Sequence, residues 1–195
     1  MRPRAVVGAA TLFASAALFV SAGPRVSGYA DGAPPGFSGG FNEQSCHGCH
    51  FHRDLNSGPG RVTIAGLPTR VLAGERYPLT ITLTRPEMRL AGFQLTARFK
   101  DRGTQAGTLA PAPGEEARVG IDVSRDVQYA NQRRTGASPA ASDTATWSLV
   151  WTAPQTSDPI VFHVAANAAD ADNTAEGDYV HTAAVEVVPG RSEPW

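Results

Sequence analysis

The sequence contains few of the residues that dominate several common classes of protein. Only 2 of its 195 residues are cysteine, which excludes a small scaffold held together by many disulfides. Charged residues make up 18% of the chain, and the formal net charge is −1. The chain therefore has neither the high charge of a disordered protein nor the basic excess that nucleic-acid binding requires. We expect a globular protein with no nucleic-acid partner.

Long hydrophobic runs are also scarce, and the one present lies at the N-terminus. Arg2 and Arg4 precede an apolar run of 16 residues, 5–20. That is shorter than the ~20 residues of a membrane-spanning helix. The run ends in the small-residue stretch Val20–Ala22, so residues 1–22 have the layout of a secretory signal peptide. We expect a periplasmic or secreted protein with no membrane span in the mature chain, although retention of this segment as an anchor stays open.

Glycine and proline are plentiful, and their distribution divides the mature chain. The 20 Gly and 15 Pro follow no triplet period, which excludes collagen and indicates short elements joined by turns. Residues 23–60 are rich in glycine and show no helical or strand period. They nevertheless contain four aromatic residues, Tyr29, Phe37, Phe41 and Phe51. We expect this segment to be irregular in structure.

From Arg61 onward, hydrophobic and polar residues alternate with a period of two. The clearest runs are 77–84, 93–100 and 147–152, and further candidates are 61–65, 118–123, 160–166 and 179–188. Such alternation predicts strands with one buried face. About seven short strands and no convincing helix predict an all-β fold, an immunoglobulin-like antiparallel β-sandwich over residues 61–190. Residues 130–143 are polar and are expected to form a long loop.

Both cysteines belong to one short motif, residues 46–50, which we call the cysteine box. Its sequence, Cys46-His47-Gly48-Cys49-His50, is the C-x-x-C-H motif of covalent haem c attachment. Two thiols at this spacing can bond to the two vinyl groups on one edge of a haem, and His50 then lies under the iron as the proximal axial ligand. Because haem c is attached after export, the signal peptide and the motif support each other. We predict one covalent haem c, held by Cys46, Cys49 and His50.

Two other interpretations of the cysteine box stay open. Cys46 and Cys49 could form a redox or structural disulfide, but such a pair usually lies between a strand and a helix, and neither is evident here. Cys46, Cys49, His50 and His52 could instead bind zinc or iron. Ligands crowded into seven residues give poor tetrahedral geometry, so haem is favoured over both.

The sixth ligand of the iron is left open among three candidates. Met88 lies in a predicted loop away from the alternating core, where it would be free to reach a site. His163 is out of phase with its apolar neighbours Phe162 and Val164, so it is expected on the opposite face of the sheet. His181 is in a similar position on the last strand. A five-coordinate iron and a ligand from a partner protein are the alternatives.

One acidic stretch near the C-terminal end suggests a second, weaker site. Asp170, Asp172 and Asp178 offer carboxylate oxygens of the kind that calcium binds. The spacing does not match an EF-hand loop. The competing interpretation is a solvated acidic turn.

The order of these features resembles a family of exported bacterial proteins in which a haem-c-like box precedes a Reeler-like (reelin N-terminal type) β-sandwich. The stretches that carry the resemblance cover most of the mature chain: Gly32–Gly36, Cys46–His50, Tyr77–Ile81, Ala91–Leu95, Thr146–Pro154, Val161–Ala169 and Glu176–Val180. The resemblance implies an immunoglobulin-like sandwich. It implies no established substrate, since fold alone does not determine function.

These expectations favour an exported electron carrier. The 38 residues of the segment 23–60 cannot enclose a haem alone, so the haem would be wedged against the sandwich or left with an edge exposed. Such an edge suits single-electron transfer with redox partner proteins, whereas oxygen activation by an enzyme needs a sheltered distal pocket. The alternative is a cell-surface binding or adhesion module whose cysteine box serves as a metal or disulfide staple.

Overall fold

The computed structural model describes residues 28–141 and 143–190, and the predicted signal peptide lies outside them. Two 3-10 helices of three residues, Cys46–Gly48 and Arg134–Gly136, are the helical elements of this part of the chain. The rest of its regular structure is ten strands: β1 (Arg61–Ala65), β2 (Arg70–Val71), β3 (Arg76–Thr84), β4 (Leu90–Phe99), β5 (Thr108–Pro111), β6 (Val119–Ser124), β7 (Val127–Gln132), β8 (Thr144–Thr152), β9 (Ile160–Ala169) and β10 (Tyr179–Pro189).

The strands form two sheets that pack face to face. One sheet has the order β1-β3-β8-β5, and the other has the order β2-β10-β9-β4-β7-β6. Neighbouring strands are antiparallel except β10 and β2, which are parallel. The predicted all-β sandwich is therefore confirmed.

Within residues 28–141 and 143–190, no helix has the length and hydrophobicity to cross a membrane.

The core between the sheets is built from the apolar residues of the alternating strands. Trp147 and Trp151 of β8 are fully buried and pack against aromatic rings of the opposite sheet. The ring centroids of Trp147 and Phe93 lie 4.6 Å apart, and those of Trp151 and Phe162 lie 4.9 Å apart. Each indole N–H donates to a backbone carbonyl, at 2.8 Å and 2.9 Å, so burying these rings leaves no polar atom without a partner.

The sequence did not predict three of the strands, β2, β5 and β7. Residues 130–132 of the expected loop belong to β7, so that part of the loop prediction was wrong. The cause is that β7 ends in buried polar residues, Asn131 and Gln132, and therefore lacks hydrophobic alternation. Gln132 accepts a hydrogen bond from the backbone N–H of Phe93, and Asn131 accepts one from the Gln94 side chain.

Residues 28–60 form a third layer over the outer face of the six-stranded sheet. The outward side chains of β4, Gln94, Thr96 and Arg98, are 0%, 0% and 6% exposed because this segment covers them. Gln94 accepts hydrogen bonds from the backbone N–H groups of Gly36 and Phe37. β4 is thus buried on both faces, and the segment that carries the cysteine box is fixed to the sheet.

At two positions of this segment, only glycine fits against the sheet. A Cβ on Gly40 would lie 2.3 Å from the ring carbon Cγ of His163, and one on Gly32 would lie 2.6 Å from the Cβ of Asn131. Gly32 also has a φ of +100°, a conformation that other residues rarely adopt. The high glycine content thus lets the backbone lie directly on the sheet.

Candidate functional site

The cysteine box is wound into one tight turn. The 3-10 helix Cys46–Gly48 is capped by Ser45, and the backbone N–H groups of Cys49 and His50 both donate to the carbonyl of Cys46, at 3.2 Å and 3.0 Å. Cys49 is exposed, Cys46 is half-buried, and the two are not joined by a disulfide. The turn therefore presents two free thiols next to the histidine that follows them.

The half-buried cysteine is held as a neutral thiol. Desolvation raises the pKa of Cys46 to about 12, with a smaller opposing effect from a backbone hydrogen bond. Metal ligation and thiol–disulfide exchange both require the thiolate. In the described parts of the chain, no group of three or more His, Cys, Asp or Glu side chains is placed to hold a metal ion. The zinc interpretation of the box stays an alternative to haem.

Two side chains of the sandwich contact the Nδ1 side of the His50 ring. Its Nδ1 lies 2.6 Å from Oδ2 of Asp178 and 3.2 Å from Nδ2 of Asn167. Asn167 lies on β9, and Asp178 directly precedes β10. The Asp178 side chain is 1% exposed, whereas that of His50 is 32% exposed. When Nδ1 donates its proton to the carboxylate, Nε2 keeps its lone pair and can bind a metal.

The chain after the box is also fastened to the sheet. The His47 ring nitrogen Nε2 lies 2.9 Å from the carbonyl oxygen of Arg53. Asn56 donates its backbone N–H to the carbonyl of Val180, and its side-chain oxygen accepts the N–H of Thr182, at 2.7 Å. The box therefore lies between two anchored stretches, on the outer face of β9 and β10.

The residues present fit a covalent haem. Two thiols and an imidazole with a free Nε2 lie in one turn, and large apolar side chains beside them are exposed. Phe51 is 70% exposed and Leu55 is 42% exposed. A flat apolar group attached to the box could cover this hydrophobic surface.

Two of the three candidate sixth ligands lie inside the sandwich. Met88 is only 7% exposed and belongs to the hydrophobic core, so its interpretation as a free loop residue was wrong. The turn between β3 and β4 directs this side chain into the core. His181 is 2% exposed and pairs with Ala166, whose side chain faces the core. His181 therefore lies on the core face of the sheet, opposite the box, and its expected position on the outer face was wrong. The structure brings neither residue to His50.

His163 lies on the outer face of the sheet, as its phase predicted, and the box lies on the same face. His163 is four residues before Asn167 on β9, about 13 Å away along the strand. Gly40 and Phe41 cover it, and the Phe41 ring centroid lies 5.2 Å from its own. Burial and the charge of Arg98 lower the pKa of His163. A ligand role for His163 stays a prediction, because the structure places it beneath the segment rather than beside His50.

The carboxylates of the acidic loop, residues 170–178, accept hydrogen bonds from within the loop, and that of Asp178 also contacts His50. Asp170 accepts the N–H of Asp172, and Asp172 accepts both the N–H and the hydroxyl of Thr174. These bonds to Thr174 lower the pKa of Asp172. Oδ1 of Asp178 accepts the N–H of Asp170, at 3.4 Å. Calcium binding at Asp170, Asp172 and Asp178 stays a hypothesis beside that of a solvated acidic turn.

Sequence reasoning missed the two residues that hold His50. Asp178 was assigned to the acidic loop, and Asn167 was given no role. One local clue existed, since Asn167 is a polar residue in the otherwise apolar stretch of alanines at 165–169. On a strand with a buried outer face, such a residue requires a hydrogen-bond partner.

Comparison with solved structures finds matches at 10–14% sequence identity with TM-scores of 0.41–0.48. No protein-family model matches the chain, and no curated protein matches its sequence. The human F-spondin reeler domain (fragment 1) superposes with a TM-score of 0.48 at 14% identity, covering 70% of this chain and 94% of that one. A cohesin module from a Clostridium perfringens family 33 glycoside hydrolase gives 0.46 at 10% identity, covering 68% and 98%. The major pilin SpaD of Corynebacterium diphtheriae gives 0.41 at 12% identity, covering 65% and 35%.

Proposed function

We propose that this protein is exported, carries one haem c bound covalently through Cys46 and Cys49, and passes single electrons to redox partner proteins. The observation that carries the proposal is the state of His50 beside the two thiols. Its Nδ1 is already engaged by a buried carboxylate 2.6 Å away, which leaves Nε2 as a ligand. Metal-bound histidines almost always donate their other ring N–H in this way.

The protein's own contribution to attachment would be the two thiols of the turn. Each thiol would add across one vinyl C=C bond, with sulfur bonding to one carbon and the thiol hydrogen going to the other. The step consumes no oxidant, and it requires two cysteines that are not joined to each other. The bound haem supplies an iron that gains and loses one electron.

The surface position of the box supports electron transfer rather than enzyme catalysis. Cys49 and Phe51 are exposed, and the His50 side chain is about one-third exposed. A group attached here would keep an edge in contact with solvent, where a partner protein can approach. Export is inferred from the signal-peptide pattern of residues 1–22. The attachment motif agrees with it, because haem c is attached outside the cytoplasm.

The test is expression of the full chain in a host that attaches haem c. The purified protein should be coloured, should show the c-type spectrum of the reduced pyridine adduct, and should keep its haem stain after denaturing electrophoresis. The double variant Cys46→Ala/Cys49→Ala should lose the stain. The variant His52→Ala, altered at an exposed histidine outside the box, should keep it.

A colourless parent protein from the same host would refute the proposal. Zinc bound in stoichiometric amount, or a Cys46–Cys49 disulfide, would then favour the binding or adhesion module with a stapled N-terminal segment.

A further inference from the structure

We propose that Asp178 and Asn167 are positioning residues for His50: they fix its ring, and the charge of Asp178 lowers the reduction potential of the iron that His50 binds. This inference rests on the proposed haem site and assigns a role to two residues outside the attachment motif. Both residues contact the His50 ring, so their effect on the iron would be transmitted through this imidazole.

The environment of Asp178 points to this role. Its side chain is 1% exposed, and burying a carboxylate costs free energy unless hydrogen bonds and opposite charge compensate. Its partners are the N–H of Asp170, the amide of Asn167 and the ring of His50. Over residues 28–141 and 143–190, no Arg or Lys forms an ion pair with it. Its negative charge is therefore directed at His50.

Asn167 fixes the orientation of the pair. Its Nδ2 donates to Oδ2 of Asp178 at 3.1 Å and lies 3.2 Å from Nδ1 of His50. Its own Oδ1 is buried and finds no hydrogen-bond partner among the residues that the structure describes. The opposite orientation of this amide would place Oδ1 against the Asp178 carboxylate, where two acceptors repel. The hydrogen bond from Nδ2 to Asp178 thus fixes the orientation of the Asn167 amide, although this orientation leaves Oδ1 unpaired.

The electrostatic consequence follows from the sign of the charge. A carboxylate hydrogen-bonded to the far side of a ligating imidazole makes Nε2 a stronger electron donor. A negative charge near the iron favours the more positive ferric state, and its effect is larger in a buried site than in water. Both effects lower the reduction potential.

The first test compares holoproteins that differ by one charge. Asp178→Asn should shift the ferrous-to-ferric ratio at a fixed potential at least tenfold toward ferrous, a rise of ~59 mV for a one-electron couple. Where the ferrous iron is five-coordinate, the substitution should also lower the iron–histidine stretching frequency in the resonance Raman spectrum. Glu176→Gln removes an exposed charge from the same loop and should change neither quantity. A haem-loaded Asp178→Asn protein with an unchanged potential and stretch would overturn the inference and leave the proposed function intact.

The second test does not need haem, so it decides the matter if Asp178→Asn fails to fold or load. In the Cys46→Ala/Cys49→Ala protein, nitrogen NMR above the ordinary pKa of histidine should show the His50 proton on Nδ1. A proton on Nε2 would overturn the inference. A parent protein that binds no haem would overturn the proposed function separately.

Discussion

Gly40 shows how single residues hold the attachment segment on the sheet. Its backbone lies against the ring of His163, and a Cβ there would approach the ring to 2.3 Å. The ring is itself packed under Phe41. The neighbours therefore cannot move aside without displacing the segment that carries the cysteine box.

Substitution of this glycine should loosen the segment. Gly40→Ala should lower the free energy of unfolding by ~1–3 kcal/mol, the usual cost of overpacking, and speed hydrogen exchange across residues 36–45. Gly28→Ala is the matched control, because a Cβ there meets nothing within 4 Å. Equal stability of the two variants in urea unfolding would contradict this account.

His181 should make stability depend on pH. Burial, and to a lesser extent the charge of Arg85, lower its pKa in the folded protein below the ordinary value of 6.5. The unfolded chain then binds a proton at a higher pH than the folded chain does. The free energy of unfolding should therefore fall as the pH decreases from 6.5 toward the folded pKa.

The measurement is urea unfolding across this range of pH. His181→Gln should show a shallower fall than the parent protein, whatever its absolute stability. His163, whose pKa is also lowered by burial, contributes in the same direction, so part of the dependence should remain. An identical slope in parent and variant would show that His181 is not responsible.

At the scale of elements, the N-terminal segment and β4 depend on each other. Arg98 of β4 points away from the sandwich core, yet it is buried because the segment supplies Glu43 as its ion-pair partner. Tyr129 of β7 bonds to both side chains, and burial, together with the bond to Glu43, raises the pKa of Tyr129 to about 12. This cluster joins the segment to two strands.

Removal of the carboxylate should be costly. Glu43→Ala should reduce the free energy of unfolding by ~3–5 kcal/mol, because it leaves the Arg98 guanidinium buried without its counter-charge. The control is Glu186→Ala at the exposed ion pair with Lys100, where the loss should be ~0–1 kcal/mol. Urea unfolding checks both variants, and similar losses would mean that the cluster does not anchor the segment.

At the scale of the whole molecule, the sequence predicts what is local and misses what depends on the third layer. The alternation in β3, β4 and β8 identifies their core faces correctly. The same alternation predicts Gln94 and Arg98 at a solvent-facing surface, whereas both are buried. The reason is that residues 28–60 dock on that face through contacts between residues far apart in the chain, which no periodicity reveals.

The candidate site divides in the same way. Cys46, Cys49 and His50 are recognisable from the sequence because their chemistry depends on spacing within five residues. Asp178 and Asn167 are not, since Asn167 is 117 residues from His50 and meets it only after the segment has docked. Met88 was misplaced because its turn folds into the core, which the polar residues around it do not indicate.

Docking of the segment gives the box a rigid support. The turn that bears the two thiols lies on one side of His50, and the sandwich holds the ring from the other. We therefore expect a haem bonded covalently to both cysteines of this turn to be held against the sandwich.

The most direct test is the mass of the proteolytic peptide that contains Cys46 and Cys49, prepared from protein made in a haem-attaching host. Our account predicts that its mass rises by that of one haem and that neither cysteine reacts with a thiol reagent. An unmodified peptide with two free thiols, or one lighter by the two hydrogens lost in a disulfide, would contradict it.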